Sequence, residues 1–354
     1  MKVGRSTLAL VAERAGVSIA SVSRVLNGLP ASSHLSERVQ TAAQELGYVA
    51  DATARSLKVG RTEQIALAVA DVGNPVYVDM MHAVSRVVTD AGYRLVLSST
   101  GSNAADQIAL LQSLNRGFAD GLLLSPLRVT PELVDAIRSS RLPIVVIGSL
   151  PTDVEVDSVR ADSAAGMELA VTHLAEQGRR HIAFVNGPVD TVPGAARLAG
   201  YTSAMMNRKL PIADDAIVSA EDFTLAAGLS ATETLLAQSA PDAIVCANDL
   251  LAVAALKVLA RRGLRVPEDI ALVGMDDTDI AELSIPSITS VNLRSAKRAR
   301  TAARLLLRRL EDPTGSVSRL VIEPRLVVRE STIGALAASG AQAEAWGGPS
   351  GGAS

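Results

Sequence analysis

At 354 residues the chain exceeds what one hydrophobic core usually holds, so two or three domains are expected. Its net charge of −3 conceals a split, because residues 1–62 carry eight basic against four acidic side chains, a net +4, and the remainder carries −7. A single cysteine, Cys246, excludes an intramolecular disulfide and sits in an apolar run that reads as a buried strand. The four scattered histidines, His34, His82, His173 and His181, have no metal-ligand spacing, so no metal or other cofactor is expected. The first sizeable uncharged run, Ser6–Ala12, is cut off by Glu13, and neither a signal peptide nor a membrane span is expected.

The first helix begins at Thr7, whose hydroxyl caps it, and buries Leu8, Val11, Ala12 and Ala15 at helical spacing. Gly16-Val17 makes a tight turn. Ser18 caps a second helix that points Val22, Val25 and Leu26 inward and leaves Ile19, Ala20, Ser23, Arg24 and Asn27 outward. A third helix fits Ser36–Leu46, with Val39, Ala42, Ala43 and Leu46 facing in and Gly47 ending it. Periodicity alone leaves two readings open: a generic pair of short helices, or a helix-turn-helix whose outward row enters a major groove.

The motifs VAERAGVS, VSRVLN, ERV and ELGY, in order from Val11 to Tyr48, resemble the DNA-binding headpiece of the LacI/GalR family of bacterial repressors. That resemblance implies DNA contacts from Thr7, Leu8, Ser18, Ile19, Ala20, Ser23, Arg24, Asn27 and Tyr48. Ile19-Ala20 offers apolar contact, as to a thymine methyl, and Arg24 the clearest polar one. The segment ATARSL, Ala52–Leu57, resembles the family's hinge helix, in which Arg55 contacts DNA and Leu57 wedges into the minor groove; a linker helix without DNA contact is the alternative. Ala50 and Asp51 depart from the Pro and Asn common there. The headpiece is placed at 1–49 and the hinge and linker at 50–62.

From Gln64 short apolar runs alternate with amphipathic stretches, as a parallel α/β domain requires. Strands are expected at Ile65–Ala70, Leu95–Ser98, Gly121–Leu124, Ile144–Ile147, Ile182–Val185, Ala243–Cys246 and Ile270–Val273. Helices are expected at Val78–Ala91, Ala104–Asn115, Ala164–Gln177, Ala195–Asn207, Leu225–Gln238 and Leu250–Arg262. Seven such units exceed one small sheet, and Asp153–Asp162 reads as a first crossing between two lobes.

HLAEQGRRHIAFVNGP, RLAGY, CANDLLAVAAL and VGMDDT resemble the periplasmic-binding-protein-like core of the same family. The expected fold is therefore a small all-α helix-turn-helix domain followed by an α/β two-lobe core with parallel sheets. The resemblance places the core at 63–333, with a first lobe of about 63–160 and 291–322 and a second of about 161–290 and 323–333. The Ala/Gly/Ser-rich stretch 334–354 reads as a disordered tail without leucine heptads, so a homodimer is the economical assembly.

GxGxxG and GxxxxGK followed by Ser or Thr are absent from the sequence, GxSxG occurs only as GPSGG in the tail and not as a strand-to-helix elbow, and no enzyme is expected. Taken alone, Arg197 reads as an exposed helix residue and Asp276 or Asp277 as a turn or cap. The family match makes Arg197 and Asp276 effector ligands, with guanidinium donors and carboxylate acceptors suited to adjacent hydroxyls. Asn248 either contacts the ligand edge or caps the next helix, and Phe223 either lies beneath a sugar ring or packs in the core. Tyr77 and Ser125 are first-lobe candidates, and Asp162 either meets the ligand or caps a helix. The arginines of KRARTAARLLLRRL read as one solvated face, with a second basic patch as the alternative.

The whole implies a cytoplasmic, dimeric repressor of carbohydrate-utilisation genes. It would read a pseudo-palindromic double-stranded operator and be switched by a sugar-like effector. An exported sugar-binding protein and an effector-independent DNA binder are the alternatives.

Overall fold

A computed structural model describes residues 7–26, 29–48 and 61–333, and the chain divides after Thr62 into two compact units. In the first, α1 (Leu8–Ala15), α2 (Ile19–Leu26) and α3 (Ser33–Glu45) enclose Val11, Ala12, Ala15, Val22, Val25, Val39, Ala42 and Ala43. The Thr7 hydroxyl accepts from Leu10 N, and Ser18 Oγ accepts from Ser21 N at 3.1 Å. Gly16 ends α1 at φ 64, a conformation that costs glycine little. Arg38 of α3 closes this turn by donating to the carbonyls of Ala15 and Gly16. The third helix begins a turn before the expected Ser36. Ser32 Oγ accepts from Leu35 N, and Leu35 packs on the core in phase with Val39 and Ala42.

The second unit holds two six-stranded sheets. Its strands are β1 (Gln64–Val69), β2 (Arg94–Ser99), β3 (Gly121–Leu124), β4 (Ile144–Val146), β5 (Asp157–Ala161), β6 (Ile182–Asn186), β7 (Ile217–Ser219), β8 (Ala243–Cys246), β9 (Ala271–Met275), β10 (Thr289–Asn292), β11 (Arg319–Ile322) and β12 (Arg325–Val327). The first sheet runs β11-β5-β4-β3-β1-β2 and the second β12-β10-β9-β8-β6-β7, every pair parallel except β10 with β12. Central strands such as β3 and β8 are buried throughout because helices cover both faces, and Cys246 lies inside β8, its thiol pushed far up by burial.

The helices are α4 (Pro75–Asp90), α5 (Ala104–Leu114), α6 (Pro131–Arg138), α7 (Ser163–Glu176), α8 (Val192–Asn207), α9 (Leu225–Gln238), α10 (Asp249–Arg261), α11 (Asp279–Glu282), α12 (Ser295–Glu311) and α13 (Glu330–Ile333). Among the described residues no helix is long and apolar enough to cross a membrane.

The chain passes between the sheets after β5, after β10 and after β11. Two expectations shift accordingly. Half of Asp153–Asp162, expected as a crossing, is strand β5 (Asp157–Ala161). Its first residue, Asp157, is buried and accepts from Arg309 Nη2 at 2.9 Å and Ser318 N at 2.7 Å. The return to the first lobe comes after Asn292 and not at Val291, because Val291 pairs with Met275 in the second sheet. Helix α12 then packs Ala299, Ala302, Ala303, Leu305 and Leu306 against Ile65, Leu67 and Leu123 of the first sheet.

Candidate ligand cleft and nucleic-acid interface

In parallel sheets the C-terminal strand ends converge on a crevice where loops carry chemistry. Ser125 follows β3, Asp162 follows β5, Asn248 lies two residues beyond β8 and Asp276 follows β9. They line a cavity of about 670 Å³ between the two sheets, together with Tyr77 of α4, Arg197 of α8 and Phe223. All seven candidates for effector contact thus meet in one place, drawn from both lobes.

On the second-lobe side Arg197 is 7% exposed, held by Nη1 donating to Ala247 O at 2.5 Å. Its Nη2 stands 3.6 Å from Asp276 Oδ1, too long for a hydrogen bond, and its buried Nε has no hydrogen-bond partner among the described residues. The guanidinium carbon lies 5.8 Å from the Phe223 ring centroid, within cation–π range. Phe223 presses so closely on Gly187 that a Cβ there would meet the ring at 2.2 Å, which is why this position carries glycine. Arginine and ring therefore fix each other, and an apolar face stands next to a cationic donor.

Asp276 has φ 110, a left-handed strain held by its N–H donating to Val291 O at 2.9 Å. Burial raises its carboxyl pKa, while Arg197 and Arg298 pull it down. The adjacent Asp277 serves the scaffold instead, accepting from Arg329 Nη2 at 2.6 Å and Asn292 Nδ2 at 2.7 Å. Asn248 caps α10 by accepting from Leu251 N at 2.9 Å, and its Nδ2 donates to Phe223 O at 3.1 Å. One amide hydrogen is left for the cleft. Asp162 caps α7 through Ala165 N at 3.0 Å and also lines the cavity.

Asp249 is the first residue of α10, next to the cap Asn248. It is buried beneath the site, accepting from Thr278 N, Thr278 Oγ1 and Ser290 Oγ, and burial with Asp276 raises its carboxyl to about 7.

From the first lobe Tyr77 reaches the same floor. Burial first, and then Asp276, push its phenol up to about 12, against a hydrogen bond with Ser125. Ser125 itself donates to Ile147 O at 3.2 Å. Tyr77→Phe removes one neutral hydrogen bond, so effector affinity is expected to fall by about fivefold, roughly 1 kcal/mol, read by calorimetric titration.

Two features here escaped sequence reasoning. Arg298 of α12 lines the cleft instead of a solvated face, although it shares a helical stripe with Ala302 and Leu305 that would have marked it as inward. At the cleft mouth Arg128 of the first lobe clamps Asp190 of the second at 2.7 and 3.0 Å, and Val192 N donates to Leu127 O at 2.8 Å beside it. No local pattern announces a pair 62 residues apart in sequence. With Asp190 64% exposed, the clamp is worth about 1 kcal/mol at most. Asp190→Ala is expected to change effector affinity by only about two- to fivefold, and less at high salt, as titration at two ionic strengths would show.

In the first unit Ile19 is 54% exposed, and Ala20 and Arg24 stand on the same open face of α2, with Ser23 half-buried between them. Arg24 forms no ion pair among the described residues, whereas Arg14 is neutralised by Glu45 at 2.6 Å. Thr7 and Ser18 act as caps, and Leu8 and Tyr48 pack half-buried on the small core, which limits what they offer outward. Asn27, Arg55, Leu57 and the hinge departures at Ala50 and Asp51 lie outside the described residues, as does the tail 334–354.

Residues 7–51 match the model of bacterial regulatory proteins of the lacI family, and residues 171–332 match that of the periplasmic binding protein-like domain. The HTH-type transcriptional regulator CelR of Thermobifida fusca is 38% identical over 338 residues, covering 92% of this chain and 98% of that protein. The chain belongs to the lacI family of bacterial regulatory proteins. The ribose operon repressor of Haemophilus influenzae is 33% identical, with 92% of this chain and 98% of its own length covered.

Among solved structures, a complex of the regulator CelR with cellobiose superposes with a TM-score of 0.71 at 36% identity, over 92% of this chain and all of that one. The lac repressor dimer bound to operator and the anti-inducer ONPF superposes with a TM-score of 0.82 at 25% identity, over 92% and 99%. The relatives are transcriptional regulators, and the helix-turn-helix followed by two parallel-sheet lobes is the fold of this family.

Proposed function

We propose that this regulator is a dimeric repressor of carbohydrate-utilisation genes whose operator affinity is set by a sugar-like effector held between the lobes. The observation that carries this reading is the cleft itself, where Arg197, Asp276 and Phe223 of one lobe face Tyr77 and Ser125 of the other across about 670 Å³. Guanidinium and carboxylate serve adjacent hydroxyls, and the Phe223 ring serves the apolar C–H face of a pyranose or furanose. A molecule gripped from both sides favours one lobe angle over another, and only such differential affinity shifts an equilibrium.

The relatives' effectors and assemblies support the class: one is solved with cellobiose, one is a ribose operon repressor, and the lac repressor binds its operator as a dimer. Two copies of α2 on a dimer suit a pseudo-palindromic site, with Ile19, Ala20, Ser23 and Arg24 toward base edges and Leu57 as the minor-groove wedge. The cleft is read as a binding site without catalysis, and the protein as acting in the cytoplasm, where its DNA is. An exported binding protein has no use for the first unit, and an effector-independent DNA binder has none for the cleft.

The test is fluorescence-anisotropy titration of DNA flanking its own gene, at fixed salt, with and without a panel of sugars. Sequence-specific binding that one sugar shifts is the expected result. Binding that depends on salt alone and ignores both sequence and sugar would overturn the reading.

A further inference from the structure

Arg298 projects from the first-lobe helix α12 into the cleft and is 8% exposed. Its Nε donates to Leu293 O at 3.0 Å, while its terminal nitrogens make no hydrogen bond and no ion pair among the described residues. Around it lie Asp276, Arg197 and Tyr77. Burial holds its guanidinium down to about 10, so it remains cationic at neutral pH.

The lining at the deep end of the cleft therefore contains two buried guanidiniums and one carboxylate, and that carboxylate stands against Arg197, while Asp249 lies beneath the lining and is engaged by Thr278 and Ser290. The other acids of the lining do not balance the excess. Asp71 accepts from Gly73 N, Asp162 caps α7 and Asp222 accepts from Phe223 N, and all three are half-buried or exposed, so that water screens them. Asp79, which also acts on Asp276, is exposed on α4 outside the lining. A buried charge without a counter-ion is costly, and a guanidinium binds carboxylate or phosphate oxygens in a two-pronged geometry that a neutral hydroxyl does not match.

We propose that the effector of this regulator carries an anionic oxygen group, a carboxylate or a phosphate on a sugar-sized frame, and that Arg298 receives it. This deepens the effector reading above and rests on it. Arg197, Phe223 and Asp276 hold the neutral body of the ligand from the second lobe, and Arg298 holds its charge from the first. An acid then bridges the lobes through a charge-assisted contact that its neutral counterpart lacks. The residue thus sets which member of a sugar series is sensed.

The experiment is isothermal titration of the full-length protein, at fixed salt, with D-glucose and cellobiose as neutral probes, D-gluconate, D-glucuronate and cellobionate as carboxylates, and glucose 6-phosphate as phosphate. At least one acid is expected to bind about tenfold or more tightly than the neutral sugar of the same skeleton. Carboxylates ahead of the phosphate assign a sugar acid, and the reverse order a sugar phosphate.

Arg298→Leu is expected to erase the preference, and Arg298→Lys, which keeps the charge but not the fork, to retain part of it. Operator binding without ligand serves as the folding control for both. Neutral sugars binding as tightly as the acids, no binding by any acid, or a preference that survives Arg298→Leu would overturn the proposal. Absence of sequence-specific operator binding by the unaltered protein would instead overturn the regulator reading on which it rests.

Discussion

Changing Arg197 to Met is expected to weaken effector binding by about 100-fold or more while operator affinity in the absence of effector stays within about threefold. The side chain lies at the junction of every second-lobe group in the cleft, with the Ala247 carbonyl at 2.5 Å, Asp276 at 3.6 Å and the Phe223 ring at 5.8 Å. Met replaces the aliphatic stem of the arginine, so the packing loss is confined to the guanidinium. What is lost is the set of donors facing the ligand and the nearer of two cations beside Asp276. Removing one partner of a buried charge pair typically costs about 3–5 kcal/mol, because the other is left uncompensated. Arg298 also acts on Asp276 and limits that cost here, which places the expected loss near 100-fold. Arg197→Lys would rescue little, since a point charge reproduces neither the spread of donors toward Ala247 and Asp276 nor the flat face against Phe223. Calorimetry with the best-binding sugar, beside anisotropy with operator, checks both halves, and effector-driven release that survives Arg197→Met would remove this residue from the site.

Arg24→Ala is expected to lower affinity for the specific operator by about 10- to 100-fold at fixed salt, with a far smaller change on scrambled DNA. Arg24 sits on the exposed face of α2 without a counter-charge among the described residues, and its neighbours Ile19 and Ala20 can make only apolar contacts with base edges. A guanidinium that reads a guanine in two-pronged fashion is worth about 1–3 kcal/mol of discrimination, so its loss removes sequence preference before it removes attraction to phosphate. The substitution leaves Val22 and Val25 in the small core and is at an exposed position, so the unit's fold is retained. Effector titration of the same variant, expected to match the parent protein, separates lost readout from misfolding. An equal loss on specific and scrambled DNA would make Arg24 a phosphate contact only.

The elements readable from the sequence are those whose signal is local. GLLL at β3 and AIVC at β8 are continuous apolar runs with no polar interruption, and Leu225–Gln238 is a helix between clear boundaries. Strand β5, DSVRA, has no such run. Asp157 tolerates burial there only because Arg309, 152 residues away, supplies the charge, and no window of sequence holds both. The edge strands β11 and β12 are short, and their pairing depends on the last two lobe crossings.

The same distinction runs through the cleft. Motif resemblance brought Arg197 and Asp276 forward, and strand-end geometry explains why Ser125, Asp162 and Asn248 join them. Arg298 was legible in helical phase, since it falls on the stripe of Ala302 and Leu305, but a run rich in arginine reads as solvated when charge is weighed before periodicity. The choice between Asn248 as cap and as ligand contact needed coordinates, because both uses draw on one amide and only the Leu251 N–H at 2.9 Å and the Phe223 carbonyl at 3.1 Å show which atoms are already engaged.

The central claim is that cleft and headpiece are coupled, and coupling of this kind is reciprocal. The most direct test measures effector affinity twice, for the free protein and for the protein saturated with operator, and compares the ratio with the factor by which saturating effector changes operator affinity. The two factors are predicted to be equal, between about 5- and 150-fold. An effector that binds free and operator-bound protein equally well would contradict the account, for a ligand with the same affinity for both states shifts nothing however tightly it binds.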